Sequence, residues 1–265
     1  YRAIYASHAD TRYEVKYHYF VIFLRQITNW MNQLRPSSVH IFWDAPRSTV
    51  WRRAALKTYK DRSKSTYVKD ISAELAMTTE VATEFFKHMN VRQYLRRHME
   101  ADDMIYAATT VMHPASTTIV STDSDMIQIP YAYNSCQVYD PTKKKIVEIP
   151  TTSPVWQKAL CGDKADSIDG YYGIGPKKSA ILLESHKDLR EFLKLKGPEI
   201  FYRNLLLIDL SLCPRLLKNK IYVQKRLAEP VSFSSKIINE LIMKYKVQGL
   251  LQEFNTLVPP FQRLL

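Results

Sequence analysis

The sequence predicts an α/β core. Two observations carry that expectation: short apolar runs that end in acids, and segments of helical period lying between them. Val39–Trp43 is an apolar run that ends at Asp44, and Thr117–Val120 is a second that ends in Ser121-Thr122-Asp123-Ser124-Asp125. The chain has 265 residues, 46% of them hydrophobic, which is enough to bury a substantial core.

Taken in order, residues 17–34 carry apolar positions at three- and four-residue steps and read as a helix, closed by Arg35-Pro36-Ser37-Ser38. The strand at Val39–Trp43 follows. Residues 47–69 hold eight Lys/Arg against one acid, Asp61. Residues 71–90 read as a helix with Ile71, Leu75, Val81, Phe85 and Phe86 on its apolar side. A further helix over 102–112 is broken by Pro114, and the strand Thr117–Val120 comes next. Tyr131–Tyr139 and Ile146–Ile149 flank Asp140-Pro141 and a lysine triplet, the pattern of a hairpin. Beyond Ser153 the chain reads as mostly helical, with one strand candidate at Leu205–Ile208. Residues 216–265 offer no interpretable motif, and neither an internal repeat nor a low-complexity tract is visible.

The formal net charge of +12 points to a polyanionic partner, nucleic acid first. No run is long and apolar enough to span a bilayer, and no signal-peptide pattern opens the sequence. Cys136, Cys161 and Cys213 are odd in number and form no CxxC pair, which argues against a disulfide framework or a zinc site and fits a reducing cytoplasm.

In so basic a chain the acids stand out. Asp44, and the pair Asp123 and Asp125, each follow an apolar run, and residues just past the carboxyl ends of strands line the ligand crevice of α/β sheets. Glu100-Ala101-Asp102-Asp103 opens a helix, where acids also favour the helix dipole. Asp163 and Asp166 share a helical face by their spacing. Crowded carboxylates repel one another, and a divalent cation relieves the repulsion. Mg²⁺ takes oxygen ligands, and two such ions about 4 Å apart can stabilise both the attacking and the leaving oxygen of a phosphodiester displacement. No EF-hand pattern is present. Gly170-Tyr171-Tyr172-Gly173-Ile174-Gly175-Pro176-Lys177-Lys178 then forms a turn leading into a helix, with glycines that allow close approach to a phosphate and two lysines beside free N–H groups.

Together these motifs resemble the 5′-nuclease superfamily of flap endonucleases and 5′-3′ exonucleases, most closely its bacteriophage flap endonuclease/ribonuclease H type. Glu100-Ala101-Asp102-Asp103 is similar to the family's EADD signature, Asp123-Ser124-Asp125 to its strand-end D-x-D, and Phe42-Trp43-Asp44-Ala45 to its FDA-type strand end. Gly162 to Ala180 resembles the helix–three-turn–helix. Arg52, Tyr59, Lys60 and Arg62 resemble the R…YK..R pattern at the base of the arch, although Tyr59-Lys60-Asp61-Arg62 is one residue shorter than usual. Phe201 to Leu210 is similar to a segment of the phage enzymes. The resemblance covers residues 1–215.

The resemblance implies a PIN-like, twisted, mainly parallel sheet flanked by helices, with a helical arch. It divides the chain into an α/β nuclease core over 1–152, with the basic arch at about 47–98, and a mostly helical region over 153–265 holding the helix–three-turn–helix at about 160–185. It assigns Asp44, Glu100, Asp102, Asp103, Asp123 and Asp125 to the first metal and its surroundings, and Asp163 and Asp166 to the second. Mg²⁺ is the implied ion at both, with Mn²⁺ as a substitute. Lys60 and Arg62 match catalytic residues at the scissile phosphate. Arg52, Tyr59, Gly173, Gly175, Lys177 and Lys178 match DNA contacts, and the turn is a K⁺ site in the family. The implied partner is DNA with a 5′ flap or a 5′ single-strand/duplex junction, with RNA–DNA hybrids as a further class, acted on by a monomer. The family's first metal-site aspartate stands a few residues before the Tyr-Arg that Tyr1-Arg2 resembles, and is expected to precede the sequence given. A non-catalytic junction-binding homologue with a degraded metal site is the alternative.

Overall fold

A computed structural model describes residues 18–60, 72–112, 117–133 and 136–264. Within them the elements run α1 (His18–Leu34), β1 (Val39–Trp43), α2 (Trp51–Ala55), α3 (Ser72–Phe86), β2 (Val91–Leu95), α4 (Ala101–Met112), β3 (Thr117–Val120), α5 (Gln128–Ala132), β4 (Cys136–Asp140) and β5 (Lys145–Ile146). They continue α6 (Pro154–Cys161), β6 (Gly162–Asp163), β7 (Ile168–Asp169), α7 (Pro176–Glu184), α8 (His186–Lys196), α9 (Glu199–Ile208), α10 (Leu216–Ala228), α11 (Ser235–Tyr245), α12 (Gln248–Leu257) and α13 (Pro259–Gln262). The fold class is α/β, as the alternation of apolar runs and helical segments predicts.

The chain forms two compact units, each gathered from separated stretches. The first gathers the described residues of 18–44, 72–95 and 225–264. Phe20, Phe23, Leu24, Ile27 and Met31 form one stripe along α1 and are all buried. They join Val81, Phe85 and Phe86 of α3 and Ile238, Leu241, Ile242 and Phe261 of the C-terminal helices in one core. Strands β1 and β2 pair in parallel, with Val39 opposite Val91 and Trp43 opposite Leu95. Gln93 locks the pair: its Oε1 accepts from Trp43 Nε1 at 3.0 Å, while its Nε2 donates to the Thr83 carbonyl at 2.9 Å. Asp44 is the first residue beyond the carboxyl end of β1.

The second unit comprises residues 45–60 and the described residues of 96–224. Strands β3 and β4 pair in parallel from Thr117–Cys136 to Val120–Tyr139, and β5 adds antiparallel to β4. This small sheet packs on α4 through Tyr106, Ile119 and Val138. A second core of Val50, Tyr59, Val155, Ile168, Leu207 and Ile208 draws the 45–60 segment against α6 and α9. Ser153 caps α6 by accepting from the Trp156 N–H, and Pro154 occupies the first helical position, where its missing N–H costs nothing.

At the end of α6 the chain doubles back sharply. Gly162 pairs with Asp169, and Asp163 with Ile168. A Cβ on Gly162, where φ is +77°, would stand 2.4 Å from the Gly170 nitrogen, and a Cβ on Gly170 would stand 2.1 Å from the Cys161 carbonyl carbon. Two strands of backbone touch here with no room for a side chain. Gly173 has a similar φ of +73° but open space around it. Gly175 N-caps α7, with Pro176 inside the first turn.

Three expectations are corrected. Leu205–Ile208 is the last turn of α9, not a strand: Phe201, Asn204, Leu207 and Ile208 are its buried side, at helical spacing. The first arm of the hairpin begins at Cys136, because Tyr131 belongs to α5, and its second arm is only Lys145–Ile146. Strand β2 was not anticipated at all, since Arg92 and Gln93 interrupt its apolar run. Ile71 and Pro114 lie outside the described residues, as does the 61–71 part of the expected arch.

The contrast among the glycines is testable by urea unfolding. Gly170→Ala should cost more than about 2 kcal/mol, because backbone must move. Gly173→Ala should cost only the left-handed penalty of about 1–2 kcal/mol. Equal losses would mean that the backbone contact after α6 is not tight.

Candidate active site

The buried guanidinium of Arg52 organises the second unit's acids. Arg52 lies on α2 and is only 1% exposed. Its Nε donates to the Leu207 carbonyl at 2.7 Å, its Nη1 to Glu100 Oε2 at 2.7 Å, and its Nη2 to Asp103 Oδ1 at 2.8 Å. The other Asp103 oxygen accepts from Arg52 Nη1 and from Trp51 Nε1, both at 3.0 Å. Such a bidentate fork suits arginine and no other side chain. Arg52 and Tyr59, expected at a DNA-facing surface, are therefore interior residues: Tyr59 is 2% exposed. The single hydroxyl proton of Tyr59 lies between Glu100 Oε2 at 3.0 Å and Asp166 Oδ2 at 3.1 Å. Burial raises the phenol's pKa far above its ordinary value, and the neighbouring Glu100 raises it further.

Lys60 follows. Its backbone N–H donates to the Asp166 carbonyl at 2.9 Å, and its Nζ reaches Glu100 Oε1 at 2.7 Å and Asp166 Oδ2 at 3.6 Å. Burial alone would lower the lysine's pKa, but the charges of Glu100, Asp102 and Asp166 win and hold it above its ordinary value. Glu100 is held below the usual carboxylate range despite its burial, because Arg52 and Lys60 both contact it.

A small cleft open to solvent lies in this unit; Asp102, Asp125, Asp163 and Asp166 line it together with Arg52 and Tyr59. Its Asp125 and Asp163 walls are bridged by Lys158, on α6, which pairs with Asp125 and reaches Asp163 at 2.6 Å. Burial raises Asp163, but the Lys158 contact and the N–H groups of Ala165 and Asp166 bring it below its ordinary value. Burial pushes Asp125 and Asp166 upward, and here the nearby lysines do not overcome it. Asp102 is raised most: burial comes first, with Glu100 and Asp103 adding to it. Among the described residues its nearest paired cation, Arg52 Nη1, stands 3.9 Å away, and its Oδ1 accepts only the neighbouring Asp103 N–H at 2.8 Å. Glu100, Asp102 and Asp103 can each place one oxygen within 4.8 Å of the others.

Of the predicted acids, Glu100, Asp102, Asp103, Asp125, Asp163 and Asp166 are thus gathered in one unit. Asp123 is beside them in sequence, where its Oδ1 accepts the Asp125 N–H at 3.1 Å and caps the turn that follows β3. Asp44 belongs to the other unit. Lys177 and Lys178 are exposed at the start of α7, beyond Gly173 and Gly175. Arg62 lies outside the described residues. Sequence reasoning missed Lys158 and Trp51. Lys158 stands one helical turn and a residue ahead of Asp163, a weak signal that the acids would need a cation on α6.

The charge ledger decides what the cleft fits. Among the described residues, six carboxylates (Glu100, Asp102, Asp103, Asp125, Asp163 and Asp166) are paired by three cations, Arg52, Lys60 and Lys158. All the donors are oxygen, a set that fits a hard cation.

An α/β unit that collects acids from the end of β3, the start of α4 and the β6–β7 turn has the architecture of PIN-like nuclease folds. The chain belongs to the 5′-3′ exonuclease family: residues 1–159 match its N-terminal resolvase-like domain. Among curated proteins it is similar to DNA polymerase I of Rhizobium leguminosarum, 29% identical over 182 residues, which is 64% of this chain and 17% of that protein. It is also similar to the flap endonuclease Xni of Shewanella woodyi, 27% identical over 164 residues, 58% of this chain and 62% of that protein. The chain thus covers less than two thirds of either relative. Among solved structures, the bacteriophage T5 D15 flap endonuclease in complex with DNA and metal ions superposes with a TM-score of 0.67 at 18% identity, over 86% of this chain and 96% of that one. T5 5′-exonuclease with bound zinc gives 0.66 at 18% identity, over 93% and 95%. No described helix is long and apolar enough to cross a membrane.

Removing the guanidinium leaves Asp103 and Glu100 buried without their partner. Arg52→Ala should lower stability by about 3–5 kcal/mol. A urea melt within about 1 kcal/mol of the parent would show that the clamp does not hold the unit together.

Proposed function

We propose that the chain is a structure-specific 5′-nuclease, a flap endonuclease and 5′-3′ exonuclease that hydrolyses phosphodiester bonds of DNA, and of RNA primers, with two Mg²⁺ ions. The observation that carries this reading is the excess of carboxylate over cation at and around one cleft, inside a chain of net charge +12. A protein that only bound DNA would gain nothing from acids that repel the ligand. Family membership and the names of the relatives support the same activity.

Asp102 and Glu100, with Asp125, would hold one ion, and Asp163 with Asp166 the other, Mn²⁺ replacing Mg²⁺ in either place. Asp103 has both oxygens committed to Arg52 and Trp51 and serves to position Glu100. Asp123 keeps Asp125 in place through the capped turn. Bound divalent cations supply Lewis acidity and a water of lowered pKa at the phosphodiester. The chain's own groups do the rest. Lys60, with an ammonium kept firmly charged, neutralises negative charge developing on the phosphate. Lys158, which pairs with Asp125 and Asp163, would be free to meet a substrate phosphate if cations were bound at those two acids. Arg52 and Tyr59 fix the orientation of the Glu100 carboxylate by donating to its Oε2. Gly173, Gly175, Lys177 and Lys178 form the phosphate grip of a helix–three-turn–helix, where an open backbone and exposed ammonium groups let a duplex approach. K⁺ would bind at that turn as well. Arg62 and the basic arch would guide the 5′ single strand, and a single copy of the chain suffices for every part assigned here.

Two outcomes check this. Asp102→Asn should cut Mg²⁺-dependent cleavage of a 5′-flap duplex by about a hundredfold or more while leaving flap binding intact. Cleavage by the parent in EDTA at its Mg²⁺ rate would remove metals from the reaction.

The second concerns pH. Asp102, Asp125 and Asp166 have raised pKa values when folded, so the folded chain holds protons that the unfolded chain releases. Their contribution to stability therefore falls as pH rises from the ordinary carboxylate range through the raised values. Mg²⁺ displaces those protons. Thermal melts should show Mg²⁺ raising Tm more at about pH 8 than at about pH 5, and Asp102→Asn melting higher than the parent in EDTA at the upper pH. An equal Mg²⁺ effect at both pH values would contradict the site.

A further inference from the structure

The lysine triplet of the sequence has no part in the function proposed above. It sits at the tip of the β4–β5 hairpin. Strand β4 is anchored by Val138 and Tyr139, both buried, and β5 returns with Ile146 opposite Tyr139 and Lys145 opposite Asp140. Asp140 closes the turn: its Oδ1 accepts the Thr142 N–H at 2.9 Å and the Lys143 N–H at 3.1 Å. Its Oδ2 stands 3.4 Å from Lys143 Nζ. Lys143, Lys144 and Lys145 are all exposed, and among the described residues only Lys143 is in an ion pair. One carboxylate therefore faces three ammonium groups, and it is already engaged by the backbone and by Lys143. The next acid, Glu148, follows Val147, whose N–H donates to the Val138 carbonyl at 2.8 Å as the chain leaves the turn behind. Lys144 has a φ of +53°, in the left-handed region where glycine or asparagine sits with least strain. A lysine at that position, between two others, gathers like charges that repel one another until a polyanion meets them.

Strand register gives the turn its place. Strands β3 and β4 run parallel with Val120 opposite Tyr139, and the Ser121 N–H donates to the Tyr139 carbonyl at 3.1 Å. Their carboxyl ends therefore lie side by side. From β4 the chain enters the lysine turn at Asp140. From β3 it runs through Asp123 to Asp125, and Asp125 lines the acid cleft. The cationic turn and these acids thus leave the same end of one small sheet, within one unit. Ammonium groups on flexible stems suit phosphates at varying positions, and contacts of this kind place a nucleic acid without reading its bases.

We infer that the β4–β5 hairpin, through Lys144 and Lys145, binds the phosphate backbone of DNA beside the acid cleft. This rests on the nuclease reading above. The two lysines contribute affinity and placement and take no part in bond cleavage.

The test is binding of a fluorescent 5′-flap duplex by the full chain in EDTA, followed by anisotropy over a range of salt. Lys144→Gln and Lys145→Gln together should reduce the slope of log K against log salt by about two, and weaken binding at least about tenfold near 0.1 M salt. Lys144→Arg and Lys145→Arg together should keep the parent slope. Lys236→Gln, an exposed lysine of α11 in the first unit, serves as the control and should leave the slope unchanged. The glutamine pair should melt at the parent Tm, since neither lysine has an ion pair to lose among the described residues. A parent-like slope in the glutamine pair overturns the hairpin site and leaves the nuclease reading standing. A loss per charge matched by Lys236→Gln also overturns it, because net charge alone would then be at work. Lost binding to phosphatidylserine vesicles with an unchanged DNA slope would assign the lysines to a membrane surface instead. A parent chain that binds no flap duplex at any salt overturns both the site and the nuclease reading.

Discussion

The second unit depends on one buried guanidinium. Arg52 joins three elements that are remote in sequence: α2, which carries it, α4, whose Glu100 and Asp103 stand at its entrance, and the Leu207 carbonyl near the end of α9. A hydrophobic residue of the same volume could fill that space, and buried ion pairs often add little net stability over apolar packing. Arginine is needed there because the acids are there. The carboxylates must converge for chemistry, and a fixed cation keeps part of that convergence tolerable without occupying the cleft.

The compensation is deliberately incomplete in its geometry. Glu100 and Asp103 are in direct contact with Arg52, and Glu100 also with Lys60, whereas Asp102 stands 3.9 Å from Arg52. Lys60 and Lys158 differ from Arg52 in kind. Each is a point charge on a flexible stem, 22% and 27% exposed, able to leave its carboxylate when another cation arrives. The rigid fork is sealed in the interior, whereas the two flexible ammonium groups are partly exposed.

Much of this was legible in the sequence. Strands β1 and β3 and helices α1 and α4 announce themselves by period and by the acids at their ends, and the six gathered carboxylates were all singled out. The rest was hidden for physical reasons. Strand β2 is interrupted by Arg92 and by Gln93, which is polar yet buried through bonds to Trp43 and Thr83. Leu205–Ile208 is apolar enough for a strand, and only its spacing with Phe201 and Asn204 places it in a helix. Arg52 and Tyr59 were matched to DNA contacts by family resemblance, and nothing local in the sequence marks them as interior. Their inward direction depends on Glu100, Asp103 and Asp166, which arrive from far along the chain. Residues 216–264 carry no chemical motif because much of their role is packing: Ile238, Leu241, Ile242 and Phe261 complete the core of the first unit.

Adjacent positions on α4 show how one motif can serve two purposes. Asp102 and Asp103 differ by a single step of about 100° around the helix. That step turns Asp103 inward, fully buried against Arg52 and Trp51, and turns Asp102 toward the cleft, its side chain 19% exposed and its oxygens nearly free of donors. Both are aspartates, yet one is gripped by Arg52 and Trp51, and the other has no equally close cation among the described residues. Glu100, a turn earlier, combines the two roles, because its longer side chain lets one oxygen meet Arg52 while the other meets Lys60. The order of the acids along the start of α4 therefore follows from helix geometry: Asp103 meets Arg52 and Trp51 directly, and Asp102, one step round the helix, lines the cleft that Arg52 also borders.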